Sequence, residues 1–139
     1  AIGGEVFCPE LARIQDAFQP EVITVAYGTN DWSKTDRQTL WTNSRLFYKA
    51  LRENYPQAKI YALAPIWRAD RDADKPAGPF GDIPGLFASI VEEIGNAQLI
   101  DCIDFLPQDV HLYSDLRLHP NDDGFAWYGK KLCQVIPKE

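Results

Sequence analysis

Three short apolar runs, each separated from the next by a helix-length stretch, constrain this chain more than any other feature. They are Glu21–Tyr27, Lys59–Ala64 and Gln98–Ile103. The first is a continuous β-branched and aromatic run, and such runs suit a parallel strand buried on both faces. Helical patterns fill the gaps. Phe7, Leu11, Ile14 and Phe18 are spaced 4, 3 and 4, which predicts a first helix over Pro9–Phe18. A second helix is predicted from Gln38 to Asn54, stopping before Pro56, with Leu40, Phe47, Leu51 and Tyr55 inward. Asp82 is placed to cap a third helix, Pro84 lies in its first turn and Gly95 stands at its end. Asn121 is placed to cap a last helix, with Phe125, Tyr128, Leu132 and Val135 inward. The stretches Gly28–Arg37 and Pro65–Gly81 read as loops.

The order α-β-α-β-α-β-α implies one α/β domain over residues 1–139, a flavodoxin-like three-layer fold with a parallel sheet and helices on both faces. Doubly wound sheets of this kind usually carry about five or more strands. Three strands and four helices therefore read as a partial domain, lacking one or more N-terminal strands. A run as apolar as Glu21–Tyr27 at a sheet edge is a pairing liability. A second copy of the chain, as a homodimer, or a separate N-terminal piece is expected to cover it. The sequence holds no methionine and begins Ala1-Ile2-Gly3-Gly4, a start that signal cleavage, methionine removal or a cut inside a longer chain would each leave; the motifs below favour the cut.

Composition excludes several function classes. Hydrophobic residues at 45% and charged residues at 24% are the balance of a folded globular chain rather than a disordered one. No run of about 18 apolar residues is present, so no membrane span is expected. A net charge of -6 with no clustered basic face argues against nucleic acid as a partner. Cys8, Cys102 and Cys133 are odd in number, lack metal-ligand spacing and sit among apolar neighbours. Buried free thiols are expected, and no structural zinc site. Free thiols and the lack of a visible leader favour the cytoplasm.

Three segments carry chemistry. Gly28-Thr29-Asn30-Asp31 directly follows a buried strand, where open α/β sheets place their ligands. Asn30 there offers an amide N–H suited to an oxyanion, although the tetrapeptide alone also suits a plain turn. Asp115-Leu-Arg-Leu-His119-Pro120-Asn121 precedes the last helix. Its imidazole can exchange protons near neutrality, and an upstream carboxylate can hold the ring by its other nitrogen. Taken alone it equally suits a helix-entry loop with a surface histidine. Ala1–Glu5, with Gly3-Gly4, precedes the first helical region and allows close approach of a ligand atom.

Together the three segments resemble the SGNH (GDSL-like) serine hydrolases. In that family a Gly-Asp-Ser block supplies the nucleophile. A second block supplies an oxyanion-hole glycine, a Gly-x-Asn-Asp block an oxyanion-hole asparagine, and an Asp-x-x-His-Pro block the base with its orienting acid. The resemblance implies that Gly4 and Asn30 form the oxyanion hole and that His119 and Asp115 are base and acid. It implies an ester hydrolase acting on acyl esters or acetylated sugars, without a cofactor. The departures are two. The serines are Ser33, Ser44, Ser89 and Ser114, and none follows Gly-Asp, so the nucleophile must come from other residues. Asp115 also stands four positions before His119 where the family has three, and Leu116 takes the usual acid position. A bulge could bring Asp115 to the ring, or a backbone carbonyl could serve instead.

Trp32, Trp67 and Phe80 are candidates for a substrate pocket at the site rim, with ordinary packing as the alternative. Arg68, Asp70, Arg71, Asp72 and Asp74 alternate in sign and read as a solvated loop. A non-catalytic module that binds an acyl or sugar ligand, or a partner chain, is the competing function. A nucleotide-binding flavodoxin-like domain would want a phosphate loop after a strand, and none is found.

Overall fold

A computed structural model describes residues 3–136. Ala1 and Ile2, at the head of the glycine segment, lie outside the described residues. The elements are α1 (Pro9–Ala12), β1 (Val22–Val25), α2 (Thr29–Lys34), α3 (Arg37–Asn54), β2 (Lys59–Leu63), α4 (Ile83–Ile94), β3 (Ala97–Ile100) and α5 (Asp122–Val135), with 3-10 turns at Phe80–Asp82 and Val110–Leu112. The three strands form one parallel sheet in the order β1-β2-β3. Ile23 pairs with Ile60, and Ile60 with Ala97.

Alternation along β2 divides the core in two, because successive side chains of a strand point to opposite faces. Ile60, Ala62 and Ala64 join Val25, Leu40, Phe47, Tyr48, Phe87 and Ile90 beneath α3 and α4. Tyr61 and Leu63 join Ile100, Cys102, Phe105 and Leu106, with Tyr128 and Leu132 of α5 against them. Both faces of β2 are thus covered, whereas β1, expected to be buried on both faces, buries only the side of Ile23 and Val25.

Element boundaries depart from expectation where side chains intervene. The first helix ends at Ala12 rather than Phe18. The Asn54 amide donates to the Ala12 carbonyl at 2.6 Å, taking the acceptor that a further helical turn would use. Leu11, Ile14 and Phe18 consequently lie exposed. The stretch Gly28–Arg37, expected as loop, contains α2. Its start is held by the Asp31 carboxylate, which accepts the Gly28 N–H at 3.2 Å. This is one half of a capping box, since glycine has no side chain to reciprocate. Gly28 adopts φ 107, and a Cβ there would stand 3.1 Å from the Phe87 ring. Asp82 precedes α4 but makes no capping bond, because its carboxylate is engaged by Arg37 Nη1 at 2.7 Å. Asn121 does cap α5, accepting the Gly124 N–H at 3.0 Å.

On α5, Phe125 and Val135 remain exposed instead of turning inward, and Cys133 is exposed while Cys102 is buried. Val22 and Thr24 of β1 are also exposed. No described helix is long and apolar enough to cross a membrane.

Candidate active site

The three parallel strands end on the same side of the sheet, and the segments that leave them carry the candidate residues Asn30, Asp115 and His119. After β1, Asp31 ties two pieces of backbone together. One carboxylate oxygen accepts the Phe7 N–H at 2.8 Å and the other the Gly28 N–H. Burial pushes the Asp31 carboxyl up, against the pull of these N–H groups. The glycine segment is thereby held against α2. Asn30 Nδ2 donates to the Glu5 carbonyl at 3.0 Å, and Lys34 Nζ donates to the Gly4 carbonyl at 2.6 Å. Gly4 has φ 78, and a Cβ there would stand 2.7 Å from Lys34 Nζ. One of the two Asn30 amide hydrogens fixes the side chain, and the second is not consumed by that bond.

After β3, the chain doubles back through an antiparallel bridge between Tyr113 and Pro120. Inside this corner, His119 Nδ1 lies 2.7 Å from Asp115 Oδ2. The supernumerary residue is absorbed by Leu116, which takes φ 55. That left-handed turn lets an acid four positions upstream reach the ring. The same carboxylate caps the turn it closes, as Asp115 Oδ1 accepts the N–H groups of Arg117, Leu118 and His119 at 3.0, 2.7 and 3.0 Å. Burial alone would raise the Asp115 carboxyl. The Leu118 and His119 N–H groups, the His119 ring and the Arg117 N–H outweigh it and hold the group well below the usual carboxylate range. An ionised carboxylate only accepts hydrogen bonds, so Nδ1 carries the proton of that bond, and in the neutral ring Nε2 presents a lone pair. The His119 side chain is 70% exposed.

The segment after β2 joins the two. Arg68, expected on a solvated loop, is 1% exposed. Its Nη1 donates to the Thr29 carbonyl and hydroxyl at 2.9 and 3.1 Å, and its Nε and Nη2 grip Asp70 at 2.5 and 2.9 Å. Its guanidinium stacks 4.7 Å from the centre of the Trp32 ring. Asp70 also faces Arg117 Nη1 at 3.4 Å, and the Ala69 N–H donates to the Arg117 carbonyl. No sequence signal separated Arg68 from its charged neighbours except its place directly after the apolar Pro65-Ile66-Trp67.

The aromatic candidates part ways. Trp32 is fully buried, edge-on to Phe80, with its indole donating to the Gly78 carbonyl at 2.8 Å. It has no surface to offer a substrate, because the Arg68 guanidinium and Phe80 occupy its faces. Trp67 packs on Tyr113, whose hydroxyl donates to the Trp67 carbonyl at 2.9 Å. Phe80 borders a cavity of about 520 Å3 with Arg71, Asp72, Lys75, Pro79 and Ile103. None of Gly4, Asn30, Asp115 or His119 lines it. None of the four serine hydroxyls bonds to an imidazole nitrogen; each donates to a backbone carbonyl. Among the described residues, no group of three or more His, Cys, Asp or Glu side chains is arranged to hold a metal ion.

Known structures share this architecture. An acetyl esterase mutant solved with acetate ion superposes with a TM-score of 0.63 at 18% identity, covering 84% of this chain and 58% of its own. A carbohydrate esterase family 3 enzyme from Talaromyces cellulolyticus gives 0.61 at 18% identity with the same coverage. The salicylyl-acyltransferase SsfX3 from a tetracycline biosynthetic pathway gives 0.74 at 20% identity, covering 96% of this chain and 43% of its own. The chain thus spans about half the length of these proteins. No curated protein matches it significantly in sequence. The model of the GDSL-like lipase/acylhydrolase family matches residues 1–127, and the chain belongs to that family.

Proposed function

We propose that these residues form the base, acid and oxyanion-hole portion of a serine ester hydrolase whose nucleophile is supplied from outside them. The observation that carries this reading is the 2.7 Å pairing of Asp115 with His119 Nδ1, which leaves Nε2 as a free proton acceptor. In the assembled site a serine hydroxyl gives its proton to His119 Nε2 as its oxygen attacks the acyl carbon. The Asn30 amide and the Gly4 N–H stabilise the resulting oxyanion. The intermediate collapses, the alcohol leaves with the proton from His119, and an acyl-serine remains. Water then attacks it and yields its proton to His119, the serine oxygen leaves and takes that proton from His119, and the acid is released. Asp115 stays ionised throughout, holding the ring and balancing the imidazolium. A small acyl ester, an acetylated sugar among them, suits a chain whose structural neighbours include an acetyl esterase and a carbohydrate esterase.

The test is turnover of nitrophenyl acetate and of an acetylated xylan oligosaccharide. Residues 1–139 by themselves are expected to be silent, and the full-length protein active. Ester turnover by residues 1–139 alone would overturn the external nucleophile. Specific ligand binding without turnover by the full-length protein would favour the non-catalytic alternative.

A further inference from the structure

The buried Arg68 has no part in the chemistry proposed above, yet it makes as many hydrogen bonds as Asp115. Four of its five N–H hydrogen-bonding positions are used, two toward Thr29 and two toward Asp70. Thr29 is the immediate neighbour of Asn30. Asp70 faces Arg117, and the Ala69 N–H holds the Arg117 carbonyl at 3.0 Å. Arg117 in turn belongs to the turn closed by Asp115. A guanidinium taken out of water is costly unless its charge and its N–H groups are matched. Here both are matched, by Thr29 beside Asn30 and by Asp70 of the same segment, which in turn faces Arg117 of the histidine corner.

We propose that Arg68 is a positioning residue, a strut that sets the distance between the Asn30 turn and the Asp115–His119 corner. This inference rests on the roles given to Asn30 and His119 above. The planar fork is suited to the task. Its Nε and Nη2 edge engages a carboxylate in two parallel bonds while Nη1 reaches the opposite side, so the separation of Thr29 and Asp70 is fixed by one rigid group. Trp32 stacks on the guanidinium face and limits its tilt. A lysine supplies the charge and not the two-sided grip.

The full-length protein, with Asp70→Asn and Arg68→Lys, tests the proposal through amide hydrogen exchange and steady-state kinetics. Asp70→Asn keeps an oxygen for the Arg68 fork but leaves its buried charge unmatched, so folding of both variants is checked first by thermal melting; the exposed Arg117→Ala, which cuts the Asp70 contact and leaves the Arg68–Asp70 pair intact, gives the same readout where they fail. In Asp70→Asn the amides of Leu118 and His119 are expected to exchange about tenfold faster, with those of β2 unchanged. Arg68→Lys is expected to loosen the Trp32 amide, bonded to the Gly28 carbonyl, as well. A displacement of about 1 Å costs on the order of 10²-fold in turnover, so kcat should fall by about tenfold or more while KM stays within about twofold. Unchanged exchange at Leu118 and His119 in Asp70→Asn overturns the strut. So does acceleration spread equally over β2, which would make Arg68 an anchor of the fold and no more. The exchange readout does not depend on ester turnover, so loss of the hydrolase reading and loss of the strut are told apart.

Discussion

Asp31 and Asp115 are carboxylates held in opposite ways, and each makes a prediction. Asp31 is pushed up by burial while serving two backbone N–H groups. An asparagine there has one acceptor and one donor, so either Phe7 or Gly28 loses its partner. Asp31→Asn should destabilise the protein by about 1–3 kcal/mol in denaturant melts, the cost of a buried unpaired N–H. Asp115 lies below its unfolded value. Its stabilising contribution is therefore complete above the unfolded carboxylate range, about pH 4, and is lost as pH falls through the folded value. Stability measured against pH should lose part of its acid slope below about pH 4 in Asp115→Asn. At this scale the sequence was legible in part. Gly28-Thr-Asn-Asp and His119-Pro120 stand out by type and spacing. The extra residue before His119 could not be resolved from spacing, because its resolution is a backbone angle at Leu116. Arg68 was read as solvated because alternating charge carries no information on burial.

At the scale of elements, Gly124 sets how closely α5 approaches the histidine corner. A Cβ there would collide with the Leu112 carbonyl and stand 3.0 Å from Pro120 and 3.1 Å from Leu106. Gly124→Ala should cost about 1–3 kcal/mol, as overpacking does, and should shift the His119 and Leu112 amide resonances more than those of α3. Periodicity served well for α3, α4 and the three strands, which are long or apolar enough to display it. It failed for α2, whose six residues are too few for a repeat and open on turn-like residues. It overextended α1, since Leu11, Ile14 and Phe18 have helical spacing while Asn54 diverts the backbone that would carry them.

At the scale of the molecule, the parallel sheet with both faces of β2 covered follows from the three apolar runs. What the runs did not reveal is how uneven the cover is. Phe18 is 69% exposed and Phe125 60% exposed, and Val22 sits exposed on edge strand β1. We propose that a second copy or an N-terminal piece pairs with β1, as an apolar edge demands. Sedimentation of residues 1–139 should reveal self-association that rises with concentration; a monomer throughout the micromolar range would contradict it. We propose that His119, oriented by Asp115, is the base of an ester hydrolase. The most direct measurement is kcat for nitrophenyl acetate in the full-length protein and its His119→Ala variant. A loss of about 10²- to 10⁴-fold is expected, the usual worth of a general base. A variant that retains wild-type turnover would contradict it.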